Sequence, residues 1–420
     1  MSEKRKDKRG RILKDGESQR SDGRYMYRYT TLSGERRTVY SWRLLSTDKL
    51  PNGKNPGPAL RDLEKEIEKK KLLGIEEHKG TILNNMFDKY MSMKKGIKPT
   101  SLSFYMMEYN KHVRNGFGLQ DISKIKYSDV KKFYLGLHYD EGLNINIICT
   151  VNSLLEPTFR LAVRDGYINT NPCANVISEV KAEIGTDKEK KHGLTIPQQQ
   201  VFLNYISTMP DKHMYNLLMV LLGTGCRIGE IIGLCWQDCD FENDEISIKR
   251  TMCFYKRYGD DKCDFHISTP KSKAGERVIP MFRVVRDALL SERELGRTCC
   301  REIEGVSGFV FISDRGNPTN ATAIDYMILR IVERCNSEEE SRAKEENRKP
   351  ILLPRMSAHT LRHTFCTRLC ENESNIKAIQ AVMGHSSISV TMDIYTDVTQ
   401  QKKKEIFSKL EGKLGLSPGN

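Results

Sequence analysis

The pattern of apolar and polar positions changes character twice along the chain. Over residues 23–30, Tyr25, Tyr27 and Tyr29 fall on one side of an extended segment and Met26 and Arg28 on the other, the period of two expected of a half-buried strand. Leu32-Ser33-Gly34-Glu35 supplies turn chemistry and residues 37–44 alternate again, which predicts a hairpin. Past the Pro/Gly/Asn breakers of residues 51–58, Leu60, Leu63, Ile67 and Leu72 recur near helical spacing with Lys/Glu pairs opposite. One helix should therefore back the small sheet, with Arg28, Arg37 and Arg43 projecting from its strands.

From residue 81 to about 176 the spacing becomes three to four: Leu83, Met86, Phe87, Tyr90 and Met91; Tyr105, Met106, Tyr109 and Val113; Val130, Phe133, Tyr134 and Leu137. Residues 145–163 are long and apolar enough for a central helix, Asp121 and Ser128 suit helix starts, and Gly166, Asn171 and Pro172 suit an end. A bundle of four to five helices follows. Residues 184–192 are charged and poor in core positions, as a linker would be.

The third stretch opens with Thr195-Ile196-Pro197, where Pro fits a first helical turn. Residues 214–222 predict a buried helix, Gly223-Thr224-Gly225 breaks it, and another helix begins near Arg227. Strands are expected at 245–248, 251–255 and 265–268, with a turn over 271–276 and Arg277-Val278-Ile279-Pro280 closing a hairpin. Helices return at 284–294 and 321–335, and the mixed-charge run 338–349, which has no apolar face, reads as an exposed insertion. The fold class is α+β multidomain: a small β-sheet-plus-helix domain over 1–75, an all-α domain over 80–180, and a mainly α domain with a small antiparallel sheet over 190–411.

Charge adds a partner to this picture. The net charge is +13, and the first 75 residues hold 20 Lys/Arg against 11 Asp/Glu, which favours a polyanion. No apolar run approaches the ~20 residues of a membrane span, and the opening residues do not resemble a secretion signal. The expectation is a cytoplasmic protein without a membrane partner. Twelve cysteines in 420 residues are too dilute for a disulfide scaffold and read mostly as small core residues.

Two clusters suggest anion chemistry. In Gly223-Thr224-Gly225-Cys226-Arg227-Ile228-Gly229-Glu230 an Arg stands at a helix start, where its fork suits a phosphate; an intrahelical ion pair to Glu230 is the structural alternative. In His359-Thr360-Leu361-Arg362-His363, the residues His359, Arg362, His363 and Cys366 share a helical stripe. That stripe suits a phosphate-binding His/Arg pair, a structural cluster, or a zinc site, the last disfavoured by the cationic Arg within it. Near the end, Met383-Gly384-His385 precedes Tyr395 by about ten residues.

These blocks, in this order, resemble the tyrosine recombinase (lambda-integrase-like phage integrase) family. The resemblance spans roughly residues 195–410, with Met383 in place of the usual Leu, and the N-terminal pattern is similar to the arm-binding domain of conjugative-transposon integrases. It implies an active site of Arg227, Lys271, His359, Arg362, His385 and Tyr395. Tyr395 would attack the scissile phosphorus to form a 3′-phosphotyrosyl bond, Arg227 and Arg362 would hold the non-bridging oxygens, His359 would take the phenol proton, Lys271 would protonate the leaving 5′-oxygen, and His385 would donate to the phosphate. Lys273 is the alternative to Lys271.

No cofactor is implied, in keeping with the lack of a GxxxxGK[ST] loop. The implied partners are double-stranded DNA at core and arm sites, gripped by a C-shaped clamp of the second and third domains, three further copies in a homotetramer, and an excisionase or DNA-bending accessory protein. Residues 402–410 would pack on a neighbouring copy, in a bacterial nucleoid setting. The function implied is integration and excision of a mobile element. A type IB topoisomerase or a non-catalytic DNA-binding regulator are the alternatives. The Ser/Thr-rich stretch between His385 and Tyr395 reads as a mobile segment that delivers or withholds the phenol.

Overall fold

The computed structural model describes residues 5–31, 34–54, 57–72, 80–185, 192–269, 275–299 and 301–398. They fall into two compact units, 1–187 and 188–420.

The first unit opens with a three-stranded antiparallel sheet, β1 (Glu17–Gln19), β2 (Tyr25–Thr30) and β3 (Arg36–Ser41), backed by α1 (Leu60–Leu72). Tyr25, Leu13, Leu44 and Leu60 form its small core. β1 is a strand the alternation did not reveal. Register corrects the face of two arginines: Tyr29 pairs with Arg37 and Thr30 with Arg36, so Arg36, not Arg37, shares the open face with Arg28. Arg43 does not project, because its guanidinium donates to the carbonyls of Ser46 (3.1 Å) and Gly57 (2.6 Å) and ties a loop shut. Leu72 is exposed, since five residues past Ile67 is about 140° off the helical stripe. Glu64 takes an inward position instead.

Five α-helices follow: α2 (Leu83–Met93), α3 (Pro99–His112), α4 (Tyr127–Tyr139), α5 (Ile145–Arg164) and α6 (Val176–Ile184). The apolar stripes meet around α5, which buries Ile148, Val151, Leu154, Leu155 and Phe159. Asn144 caps it by accepting from the amide of Asn146. Asp121 and Ser128 are not caps: Asp121 closes a local turn onto Ser123, and the cap interaction of α4 is made by Asp129 to the amide of Lys126.

In the second unit, α7 (Ile196–Ser207) starts on a reciprocal Thr195/Gln198 capping box. α8 (Lys212–Thr224) is almost wholly buried, and α9 (Ile228–Ile232) follows a tight break. Each buried Leu of α8 contributes about 1.5–3 kcal/mol relative to exposure, which makes this helix the axis of the large core. The strands are β4 (Cys239–Asp240), β5 (Glu245–Ile248), β6 (Thr251–Tyr255), β7 (Asp264–Ser268) and β8 (Arg277–Pro280). β8 pairs with β5, and β6 with β7. The expected β7–β8 hairpin is therefore absent, and the connection between those strands links two different sheets.

Five helices complete the described part of the unit: α10 (Arg283–Glu294), α11 (Ala321–Glu345), α12 (Ala358–Asn372), α13 (Ile376–Met383) and α14 over 388–398. α11 runs ten residues beyond its predicted end. The mixed-charge run is helical as far as Glu345 because Cys335, Glu339 and Ala343 form a buried stripe, with Glu339 neutralised by Arg348 from beyond the helix end. The segment before Tyr395 is helical from residue 388: Thr391, Val398 and half-buried Ile394 and Tyr395 make one inward face.

Candidate active site

The C-terminal end of α13 organises the site. Gly384 ends the helix at φ +63°, a left-handed conformation that Gly adopts without strain. The carbonyls released there carry the negative end of the helix dipole. Three guanidiniums from three distant segments meet them. Arg277 Nε donates to Val382 O at 2.7 Å, Arg362 Nη2 to Met383 O at 2.6 Å, and Arg227 Nη2 to Gly384 O at 3.0 Å.

Each arginine is placed by local structure. Arg227 caps α9 after Gly225, which ends α8 at φ +60°. A side chain at 225 would be strained in that conformation and its Cβ would come within 2.2 Å of Phe365, so this break lies flat on α12. Arg362, on the buried face of α12, gives Nη1 to Gly225 O at 2.7 Å and so bolts α8, α12 and α13 together. Arg277 sits at the first position of β8.

Glu230 is the carboxylate among them. It accepts from Arg227 Nη1 at 2.8 Å and Arg277 Nη2 at 2.9 Å, and its other contact is the amide of Arg227 at 3.0 Å. Burial pushes its carboxyl up, but the hydrogen bond and charge of Arg277, with the amide and charge of Arg227, outweigh this and hold it below its ordinary value. The ion pair to Glu230 and an anion-binding use of Arg227 are compatible, since 41% of the Arg227 side chain stays exposed. Three cations set against one carboxylate, which is bonded to Arg227 and Arg277, leave an excess of positive charge. Arg362 registers it: burial first, then repulsion from Arg227, brings its guanidinium down to about 10.

His385 follows directly and is buried. Burial, then the charges of Arg362 and Arg227, lower its imidazole to about 4, so the ring is neutral at neutral pH. Its Nδ1 lies 2.9 Å from Thr391 Oγ1, and its carbonyl accepts from Gln380 Nε2 at 3.0 Å. His359 is exposed in the first turn of α12, its ring 4.8 Å from that of His363. Tyr395, on α14, packs on the small cluster of Phe365, Cys366, Cys370, Ile379, Met383 and Val398. Lys271 and Lys273 lie outside the described residues. Among the described residues no group of three His, Cys, Asp or Glu side chains is arranged to hold a metal ion.

Comparison with known proteins gives the family. The Phage integrase family profile matches residues 194–402 and the DNA-binding domain of the Tn916 integrase matches residues 1–71. The transposase of transposon Tn916 from Enterococcus faecalis is 33% identical over 408 residues, covering 95% of each chain. The chain belongs to the phage integrase family. It is a tyrosine-type site-specific DNA recombinase of the conjugative-transposon integrase kind, catalysing the strand cleavage and rejoining by which mobile elements integrate and excise.

The transposase of Tn1545 from Streptococcus pneumoniae matches this recombinase to the same extent, at 33% identity over 95% of each chain. Among solved structures, the Tn1549 transposon integrase in complex with a circular intermediate DNA aligns with TM-score 0.66 and 27% identity, covering 77% of this chain and 99% of that one. A lambda integrase tetramer bound to a Holliday junction, at 18% identity and TM-score 0.54, shares the fold. No helix among the described residues of the recombinase is long and apolar enough to cross a membrane.

Three residues of this site escaped the sequence: Arg277, Gln380 and Thr391. Arg277 was visible only as a strand residue, because beyond a local bond to Gly275 O (3.1 Å) its partners come from α9, α13 and Cys226 (3.5 Å). Thr391 stands four residues before Tyr395, a spacing that places both on one helical face once the segment is read as a helix.

Proposed function

We propose that the arginine cluster binds the scissile phosphodiester of a DNA strand and that Tyr395 attacks its phosphorus. The P–O5′ bond breaks as the Tyr–O–P bond forms, leaving a 3′-phosphotyrosyl link and a free 5′-hydroxyl. Arg227 and Arg362 neutralise the non-bridging oxygens as charge builds on them, and His385 donates from its free ring nitrogen. His359 takes the phenol proton and Lys271 supplies one to the leaving oxygen. Because the link retains the energy of the ester, the 5′-hydroxyl of another strand reverses the step on a new partner. The observation that carries this reading is the convergence of Arg227, Arg277 and Arg362 on the end of α13, with a carboxylate shared by Arg227 and Arg277. Such an excess of fixed, preorganised cations beside a neutral imidazole suits a phosphate and nothing uncharged.

The wider organisation follows the same reading. Residues 1–75 serve as the arm-type DNA-binding domain, 80–180 as the core-binding domain and 190–411 as the catalytic domain. The open face of the arm sheet supports the first assignment. Arg28, Arg36 and Tyr40 lie there, and Arg24 stacks over Tyr40 and Trp42, a basic and aromatic surface suited to a DNA groove. The working assembly is a homotetramer on DNA in the bacterial cytoplasm, associated with the nucleoid and helped by an excisionase or DNA-bending protein.

The test is covalent trapping. Incubated with a nicked duplex spanning an end of its mobile element, the protein should form an adduct that survives denaturation. Tyr395→Phe should abolish that adduct, and an adduct undiminished by the substitution would refute the assignment.

A further inference from the structure

The site as described leaves one buried hydroxyl without a role. Thr391 is fully buried on α14, although it is a polar residue in a segment whose immediate neighbours Ser389, Val390, Met392 and Asp393 are exposed. A helical Thr ordinarily returns its hydroxyl to the carbonyl four residues back, as Thr364 does to Thr360 and Thr367 to His363. Thr391 instead reaches across to His385 Nδ1 at 2.9 Å. It also stands one turn before Tyr395 on the same helix, and the face they share is the one packed on α12 and α13.

We propose that Thr391 is a positioning residue that sets the hydrogen on His385 and fixes the Tyr395 helix against the anion site through one hydrogen bond. The inference rests on the proposed roles of His385 and Tyr395. Its logic is that of any neutral imidazole, in which one nitrogen carries the hydrogen and the other accepts. If the Thr391 hydroxyl donates to Nδ1, the hydrogen must sit on Nε2. The ring then presents a donor, which a phosphate oxygen needs. Without that hydroxyl no other group among the described residues selects this tautomer at Nδ1, and the alternative form turns a lone pair towards the anion. The same bond ties the Gly384–Ser387 connection, in which His385 lies, to α14, so it also sets where α14 lies when Tyr395 acts. The charges acting on the ring include the guanidiniums of Arg362, Arg227 and Arg277. They repel a further proton but cannot choose between the two nitrogens.

The test compares Thr391→Val, which keeps shape and loses the hydroxyl, with Thr391→Ser, which keeps the hydroxyl and loses the methyl. Three readouts are taken on the full chain: affinity for the nicked duplex, rate of covalent adduct formation at saturating protein, and the His385 ring-nitrogen shifts in ¹⁵N-histidine-labelled protein, assigned with His385→Gln. Loss of one such bond predicts an adduct rate down about tenfold for Thr391→Val, with affinity unchanged and a His385 signal moved away from the Nε2–H form. Thr391→Ser should stay near wild type in all three. Two results would overturn the proposal: a Thr391→Val protein with wild-type rate and wild-type tautomer, or a Thr391→Ser protein as slow as Thr391→Val, which would assign the effect to packing of the methyl group. Should the wild-type protein form no tyrosyl adduct, the reading of the site fails, while the nitrogen shifts still decide whether Thr391 sets the tautomer.

Discussion

At the scale of single residues the site depends on charge balance. Glu230 is the carboxylate that Arg227 and Arg277 share, and it is nearly inaccessible to solvent. Replacing one partner of a buried ion pair leaves the others with desolvated charge and no counterion, a cost of about 3–5 kcal/mol. Glu230→Gln should therefore lower unfolding stability by roughly 3 kcal/mol, at the low end because Arg227 is partly exposed, as read from a denaturant titration. The adduct rate should fall with it, since Arg227 would lose the contact that aims it. A variant of unchanged stability would show that the carboxylate does not hold the cluster. Arg227, Arg362 and His385 stood out in the sequence because each lies beside a glycine, in a short motif, or in a recognisable order. Arg277 did not, since an Arg at the start of an antiparallel strand has no sequence feature that distinguishes a buried anchor from a solvent-facing residue.

Among the elements, the β1–α1 contact carries its own prediction. Glu17 on β1 is fully buried and bound by Arg61 (Nε at 2.9 Å), while Glu64, one helical turn from Arg61, is buried beside it. Burial and the neighbouring Glu17 carboxyl raise Glu64 from 4.5 to about 7. For a carboxyl raised on folding, the folded state holds the proton more tightly than the unfolded one. Its stabilising contribution is complete below about pH 4.5 and is lost as pH rises through about 7. Glu17 is shifted the other way, burial being outweighed by Arg61 and the amide of Lys14, so its contribution is lost only in acid. Amide exchange in β1 and β2 should accelerate between pH 5 and pH 8, beyond the intrinsic base-catalysed increase. Glu64→Gln, which mimics the protonated form, should remove that excess, and equal excess in both proteins would refute the assignment.

Elements with strong periodicity, such as α5 and α8, were legible because burial and spacing agree over many residues. The extension of α11 and the helix α14 were not. Their inward faces include Glu339 and Thr391, polar residues that count against a core position until Arg348 and His385 are seen to satisfy them.

For the whole molecule, charge and domain division predict separable DNA contacts. Removing residues 1–75 should abolish binding to arm-type duplexes while leaving Tyr395-dependent cleavage of a core duplex measurable, checked by gel shift and adduct assay on the same preparation. Affinity of the full chain should fall log-linearly with salt, more steeply than that of the truncated form, because each lost phosphate contact removes about 0.9 from the slope. Equal slopes would place the phosphate contacts elsewhere.

By itself the sequence determined most of the helices, because periodic burial and short-range turn signals are local properties, and the order of its motifs carried the family resemblance that implied the class of chemistry. Tertiary structure decided which arginines share a helix end, which face of the arm sheet bears Arg36, and that β8 pairs with β5 rather than β7. Those outcomes depend on strand register and on partners 21 to 157 residues apart. Such choices are settled by how buried charges and carbonyls can all be satisfied at once, a condition no local window of residues contains.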